Sequence, residues 1–139
     1  MAERLVPVLP DLDVWLKAFS RQDPDPLVVH GFQAGVERRR IFLLGLVRQS
    51  LLARVRDERQ FGRLERALAA FPDLPVLARD HVRAAALIHH LRGQVAAVSP
   101  WQALLWAVAE RLPATIWSSS RAWQPLAGAG CPVVAAVSG

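Results

Sequence analysis

The sequence predicts an α/β domain built around a mainly parallel sheet. Two observations carry this. Four short apolar runs, Leu5 to Leu9, Ile41 to Leu44, Thr115 to Trp117 and Pro132 to Val137, are too short for helices and carry the composition of buried strands. Between them lie stretches whose apolar residues recur at helical spacing.

Leu5 to Leu9 reads as the first strand, ended by Pro10. Asp11 to Phe19 reads as a helix with acidic residues in its first turn, where the helix dipole favours them. Asp23-Pro24-Asp25-Pro26 is a turn, and a helix follows from about Leu27 to Glu37. After Arg38-Arg39-Arg40 comes the second strand. Leu46, Val47, Leu51 and Val55 then mark a helix from about Gly45 to Arg56. Phe61, Leu64, Leu68 and Phe71 trace another apolar stripe, and Leu74 to Leu77 forms a minor strand or an extended link. A helix opening at Asp80 is expected to bury Val82, Ala85, Ala86 and Leu91 and to stop near Gly93. Ser99-Pro100-Trp101-Gln102 has the form of a helix N-terminus: a serine cap, a proline in the first turn and Gln at the capping-box position. That helix runs to about Arg111. Arg121 to Leu126 is expected as a short helix between the last two strands.

At 139 residues, 53% of them hydrophobic and 21% charged, the chain suits one globular domain over residues 1–139 and not a disordered segment. No apolar run reaches the ~18 residues of a membrane span, and the apolar stretch after Met1-Ala2-Glu3-Arg4 is too short for a secretory signal. Cys131 is the single cysteine and has no partner for an internal disulfide, which fits a reducing, cytoplasmic setting. The net charge of +5 comes from sixteen arginines and one lysine, Lys17. Arginine clamps phosphate well, so nucleic acid or an acidic partner is one reading; ordinary surface arginines from a coding bias are the other.

Three segments carry a family resemblance. Val8-Leu9-Pro10-Asp11-Leu12-Asp13-Val14-Trp15-Leu16 has an apolar strand, an Asp and an apolar-Trp-apolar helix start. Gly45-Leu46-Val47-Arg48-Gln49-Ser50-Leu51-Leu52 and Ser99-Pro100-Trp101-Gln102-Ala103-Leu104-Leu105 follow in order, with Val55-Arg56-Asp57-Glu58, Phe71-Pro72-Asp73-Leu74-Pro75 and Asp80-His81-Val82 between them. In this order and spacing the chain resembles a PIN domain of the VapC toxin type over nearly its whole length. The resemblance implies a three-layer α/β/α fold, pairing with an antitoxin, homodimers, and a Mg²⁺ or Mn²⁺ site of carboxylates that activates water against RNA.

In the resembling positions, Ser50 stands where the family has Glu, Gln102 replaces an Asp, and the fourth motif, Ile116 through Trp123, carries Ser118, Ser119, Ser120 and Ala122 in place of acids. Asp11 alone is retained as a catalytic-type carboxylate. Shifting the alignment does not restore the set, because residues 97–109 and 115–139 contain no Asp or Glu. Asp13 is read as a capping or dipole residue, since two residues so spaced do not share a helix face. His89 and His90 project about 100° apart and do not chelate together, and Cys131 has no evident base. Trp101, Trp117 and Trp123 fall beside the former acidic positions and either stack on bases or fill the space the acids vacated. Arg54, one turn beyond Ser50, and Arg121 add charge for contact with RNA or a partner. The expectation is a catalytically degenerate PIN domain that binds RNA or an antitoxin-like peptide and needs no cofactor. The alternative is an active Mg²⁺- or Mn²⁺-dependent endoribonuclease toxin of the VapC type.

Overall fold

In the computed structural model, which describes residues 5–94 and 97–137, the strand expected at Thr115 to Trp117 is found with those bounds, while the other three are shorter than the apolar runs that announce them. The elements in order are β1 (Val8–Pro10), α1 (Leu12–Ala18), α2 (Pro26–Glu37), β2 (Leu43–Leu44), α3 (Gly45–Ala53), α4 (Glu58–Leu68), β3 (Asp73–Leu74), α5 (Ala78–Leu91), α6 (Pro100–Arg111), β4 (Thr115–Trp117), a 3₁₀ turn (Arg121–Trp123), α7 (Gln124–Gly128) and β5 (Val133–Val134). The expectation about a signal at Met1 to Arg4 lies outside the described residues.

Every strand pairing among the described residues is parallel, β2 with β3 and β1 with β4, which in turn pairs with β5. A bridge between Val8 and Ile41 joins the two groups and sets the order β3-β2-β1-β4-β5. The β1–β2 seam stops there for a covalent reason. Val8 donates to Arg40 O at 2.7 Å and Val8 O accepts from Phe42 N at 3.0 Å. The next rung toward β2 calls on the Pro10 N–H, which proline lacks. Pro10 is therefore part of β1, paired in register with Trp117, and not the residue that breaks it. Its carbonyl accepts the Trp15 indole N–H at 2.9 Å.

Six of the helices fall into two groups, α1 through α4 packed on one another and α5 on α6, with α6 also against β4, while α7 packs on the 3₁₀ turn and β5. Trp15 anchors the first group. Its ring meets Phe32 and Phe71 edge-on at 5.0 and 4.9 Å, and Phe19 stacks beside it at 5.9 Å. The close approach of α2 to the sheet depends on Gly35, where a Cβ would fall 2.6 Å from Ile41 Cδ1.

α5 corrects the expected buried face. Val82 is 70% exposed and Ala85 is exposed, while Asp80, Ala84, Leu87 and Leu91 point inward. The apolar pattern misled because a charged residue holds a core position. Arg111 reaches across from α6 and grips both Asp80 oxygens at 2.8 and 3.0 Å, and Leu77 N–H donates to Oδ2 at 2.8 Å. With its charge met, Asp80 holds an inward position beside Ala84 and Leu87, and Leu91 is buried as expected. The α3 helix also ends early, at Ala53, and Asp57 then caps α4 by accepting from Arg59 N.

Candidate functional site

The candidate site lies where β1 and β4 end side by side. Parallel strands deliver their carboxyl ends to one edge of the sheet, and a crevice forms where neighbouring strands lead off in opposite directions. Asp11 leaves β1 at this point, its N–H donating to Trp117 O at 2.8 Å, and its side chain caps α1 by accepting from Leu12 N at 2.7 Å. The cap of α1 is thus Asp11 and not Asp13. Asp13 instead crosses to the loop after β4. Its Oδ1 accepts from Ser118 Oγ at 2.9 Å, and its Oδ2 from Ser119 N at 2.8 Å and Ser119 Oγ at 2.9 Å. Lys17, one turn further along α1, donates to Ser119 Oγ at 2.7 Å.

Two tryptophans complete the coordination of Asp11. Trp101 Nε1–H donates to Oδ1 at 2.8 Å, and Trp123 Nε1–H donates to Oδ2 at 2.9 Å. Ser99 places Trp101 by capping α6: its hydroxyl accepts from Gln102 N at 3.1 Å, and Gln102 Oε1 accepts from Ser99 N at 3.1 Å. The other end of Gln102 donates to Ala122 O at 2.9 Å, tying α6 to the 3₁₀ turn that carries Trp123. Ser120 caps that turn, its hydroxyl accepting from Ala122 N at 3.3 Å.

Asp11, Trp101, Gln102, Ser120 and Trp123 are therefore one hydrogen-bonded group, with Trp117 joined to it through its backbone. Ser50 sits half-buried on α3, outside this bonded group. Of the two readings of these tryptophans, Trp117 and Trp123 take the packing one. They are 2% and 3% exposed, and Trp117 donates to Ala135 O at 3.2 Å. Their faces are spent on packing because β4 and the turn after it bury them. Arg121 is exposed on the 3₁₀ turn. Arg54 is the C-cap of α3 and lines a separate groove with Leu16 and Phe19 of α1 and Leu64 of α4.

That groove, about 440 Å³, adjoins a second of about 380 Å³, and Phe19, Val55, Gln60 and Leu64 line both. Leu16 and Phe19 are exposed along its floor. Its rim holds Arg21, Arg54, Arg56 and Arg63 against one acid, Asp57. Sequence reasoning missed this surface because its apolar residues come from three helices and none forms a motif alone.

No group of three or more His, Cys, Asp or Glu side chains able to hold a metal ion occurs among the described residues. Cys131 is buried, and burial pushes its thiol up to about 12, far from a thiolate nucleophile at neutral pH. Among the described residues no helix is long and apolar enough to cross a membrane.

No family model and no curated protein matches the sequence. Solved structures do. FitAcB from Neisseria gonorrhoeae superposes with a TM-score of 0.74 at 15% identity, covering 91% of this chain and 95% of that one. A toxin–antitoxin complex from Klebsiella pneumoniae gives 0.73 at 16% identity, covering 91% and 95%. VapBC2 from Rickettsia felis, bound to a DNA fragment from its promoter, gives 0.74 at 11% identity, covering 94% and 98%.

Proposed function

From the premise that the chain has the three-layer PIN-domain fold of FitB- and VapC-type toxin–antitoxin proteins, we propose that it is a catalytically degenerate PIN domain that acts by binding a protein partner of the antitoxin kind. The observation that carries the loss of chemistry is the content of the cleft. Gln102 and Ser120 offer only neutral oxygens there and are committed to capping α6 and the 3₁₀ turn, and Ser50, on α3, is neutral at the position where the resemblance calls for Glu. Neutral oxygens do not offset the cost of dehydrating a divalent ion.

Protein is favoured over RNA because the rings of Trp117 and Trp123 have no free face for a base. The positive side of the proposal is the groove between α1, α3 and α4. An apolar floor with four arginines on its rim suits an acidic amphipathic segment, apolar on one face and rich in Glu on the other. Pairing of two copies belongs to the same reading through the likeness to the toxin–antitoxin fold.

Two measurements test it. Wild-type protein incubated with a mixed RNA pool and Mn²⁺ is expected to leave the RNA intact; chelator-sensitive cleavage that disappears in Asp11→Ala would make it an endoribonuclease and overturn the proposal. A labelled amphipathic peptide with Leu at helical spacing and Glu elsewhere is expected to bind the wild type. Phe19→Arg or the pair Arg56→Glu and Arg63→Glu should weaken that binding at least tenfold. Equal binding by all three proteins would place the partner elsewhere.

A further inference from the structure

We infer that Trp101 and Trp123 stand in the metal's place, converting Asp11 from a ligand into the centre of a metal-excluding cross-link. The inference rests on the degenerate reading above and adds what fills the vacated position and why the fold no longer needs an ion.

A carboxylate offers about four lone-pair directions, two on each oxygen. Asp11 Oδ1 uses both of its pair, on Leu12 N at 2.7 Å and on Trp101 Nε1 at 2.8 Å. Oδ2 uses one, on Trp123 Nε1 at 2.9 Å. Asp11 is 8% exposed, so little water competes for the remainder. Hydrogen bonds to an ionised carboxylate in such a setting are among the strong ones.

An indole N–H is a donor only and has no lone pair to give a cation. The Leu12 N–H and the two indole hydrogens together take three of the four directions from which an ion would approach, and the positive ends of these N–H dipoles already supply compensation an ion would give. The residues present therefore do not fit Mg²⁺ or Mn²⁺. They fit a cross-link. Asp11 sits at the end of β1, Trp101 on α6 and Trp123 on the turn after β4, so one side chain joins three separate parts of the chain. In a metal centre the ion would make that junction; here neutral donors make it.

The consequence is a reversed response to mutation. In a cluster of metal-binding acids without the ion, neutralising one acid relieves repulsion and stabilises the fold. In the tryptophan clamp, Asp11→Asn turns one acceptor into an NH₂ donor that must face an indole N–H or the Leu12 N–H. The expected result is a fall of about 5–10 °C in melting temperature. In a Trp123→Phe background the amide has space without an opposing donor, and the further fall caused by Asp11→Asn should drop below half its wild-type size. A rise in melting temperature with Asp11→Asn, or a penalty unchanged by Trp123→Phe, overturns the inference.

A titration with Mn²⁺ alone provides a second reading. The variant Ser50→Glu, Gln102→Asp, Ser120→Asp should bind Mn²⁺ at least tenfold more weakly than the same variant carrying Trp101→Phe and Trp123→Phe. Equal affinity would mean that the tryptophans do not exclude the ion. Should either multiple variant fail to fold, the melting cycle decides by itself. Failure of the groove to bind peptide would sink the preceding proposal and leave this one standing, whereas a stabilised Asp11→Asn sinks this one alone.

Discussion

Arg39 takes a positive φ of 56°, the one non-glycine residue among those described to do so. It follows the last turn of α2, where Arg40 N–H returns to Gly35 O at 2.8 Å and Arg39 N–H to Val36 O at 3.0 Å. This is the closing pattern that glycine normally serves, and a side chain with a Cβ pays about 1 kcal/mol for the left-handed conformation. Arg39→Gly is therefore expected to raise stability by about 0.5–1 kcal/mol, read as a higher urea midpoint with an unchanged slope. A lower midpoint would mean that the Arg39 side chain contributes more than its backbone costs. Asp11 illustrates the same scale from the other side. Its identity was legible as the retained acid of a motif, but not its partners, because Trp101 and Trp123 lie 90 and 112 residues away in sequence.

The α5–α6 pair is held by two arginine–carboxylate clamps of unequal weight. Arg111 beside Asp80 holds that carboxyl below the usual carboxylate range, against the opposing effect of burial, and Arg111 also donates to Pro75 O at 2.9 Å. Arg83 lowers Glu110 in the same way through contacts at 2.8 and 3.0 Å. The Asp80 side chain is 3% exposed, whereas that of Glu110 is 46% exposed and screened by water. Asp80→Ala should cost about 3 kcal/mol, since it strands a guanidinium at the helix contact, while Glu110→Ala should cost less than about 1 kcal/mol. The pH dependence follows from the direction of the shift. A carboxyl lowered in the folded state contributes its full stability above its unfolded pKa, and that contribution is lost as pH falls through the folded value. Wild type should thus lose stability below about pH 4 more steeply than Asp80→Ala, measured as urea midpoints across that range. Parallel curves would show that the pair adds nothing to folding.

For the molecule as a whole, the closed site predicts indifference to divalent ions. A ligand that binds only the native state at a hundred times its Kd adds about 2.7 kcal/mol. One millimolar Mn²⁺ should shift the melting temperature by less than about 1 °C, and chelator should leave it unchanged; a rise of several degrees would reveal a site that Asp11 and its neighbours still form. Partner binding should instead depend on salt, because the groove's four arginines meet charge near solvent, where added ions screen it.

Local chemistry by itself determined the order of strands and helices, the capping of α6 by Ser99 with Gln102, and the absence of acids from residues 115–139, because each is written in residues adjacent in sequence or at fixed spacing. The resemblance of three motifs also carried the fold, since their spacing reflects the strand ends they follow. Tertiary structure alone decided that Asp80 faces the core and Val82 does not, since an arginine 31 residues away neutralises the one and nothing covers the other. It also decided that Trp117 and Trp123 are interior residues, and that three helices share an arginine-rimmed groove. Hydrophobicity and spacing report what a residue prefers on average; which face it turns, and which distant donor meets its charge, follow only once the chain has folded back on itself.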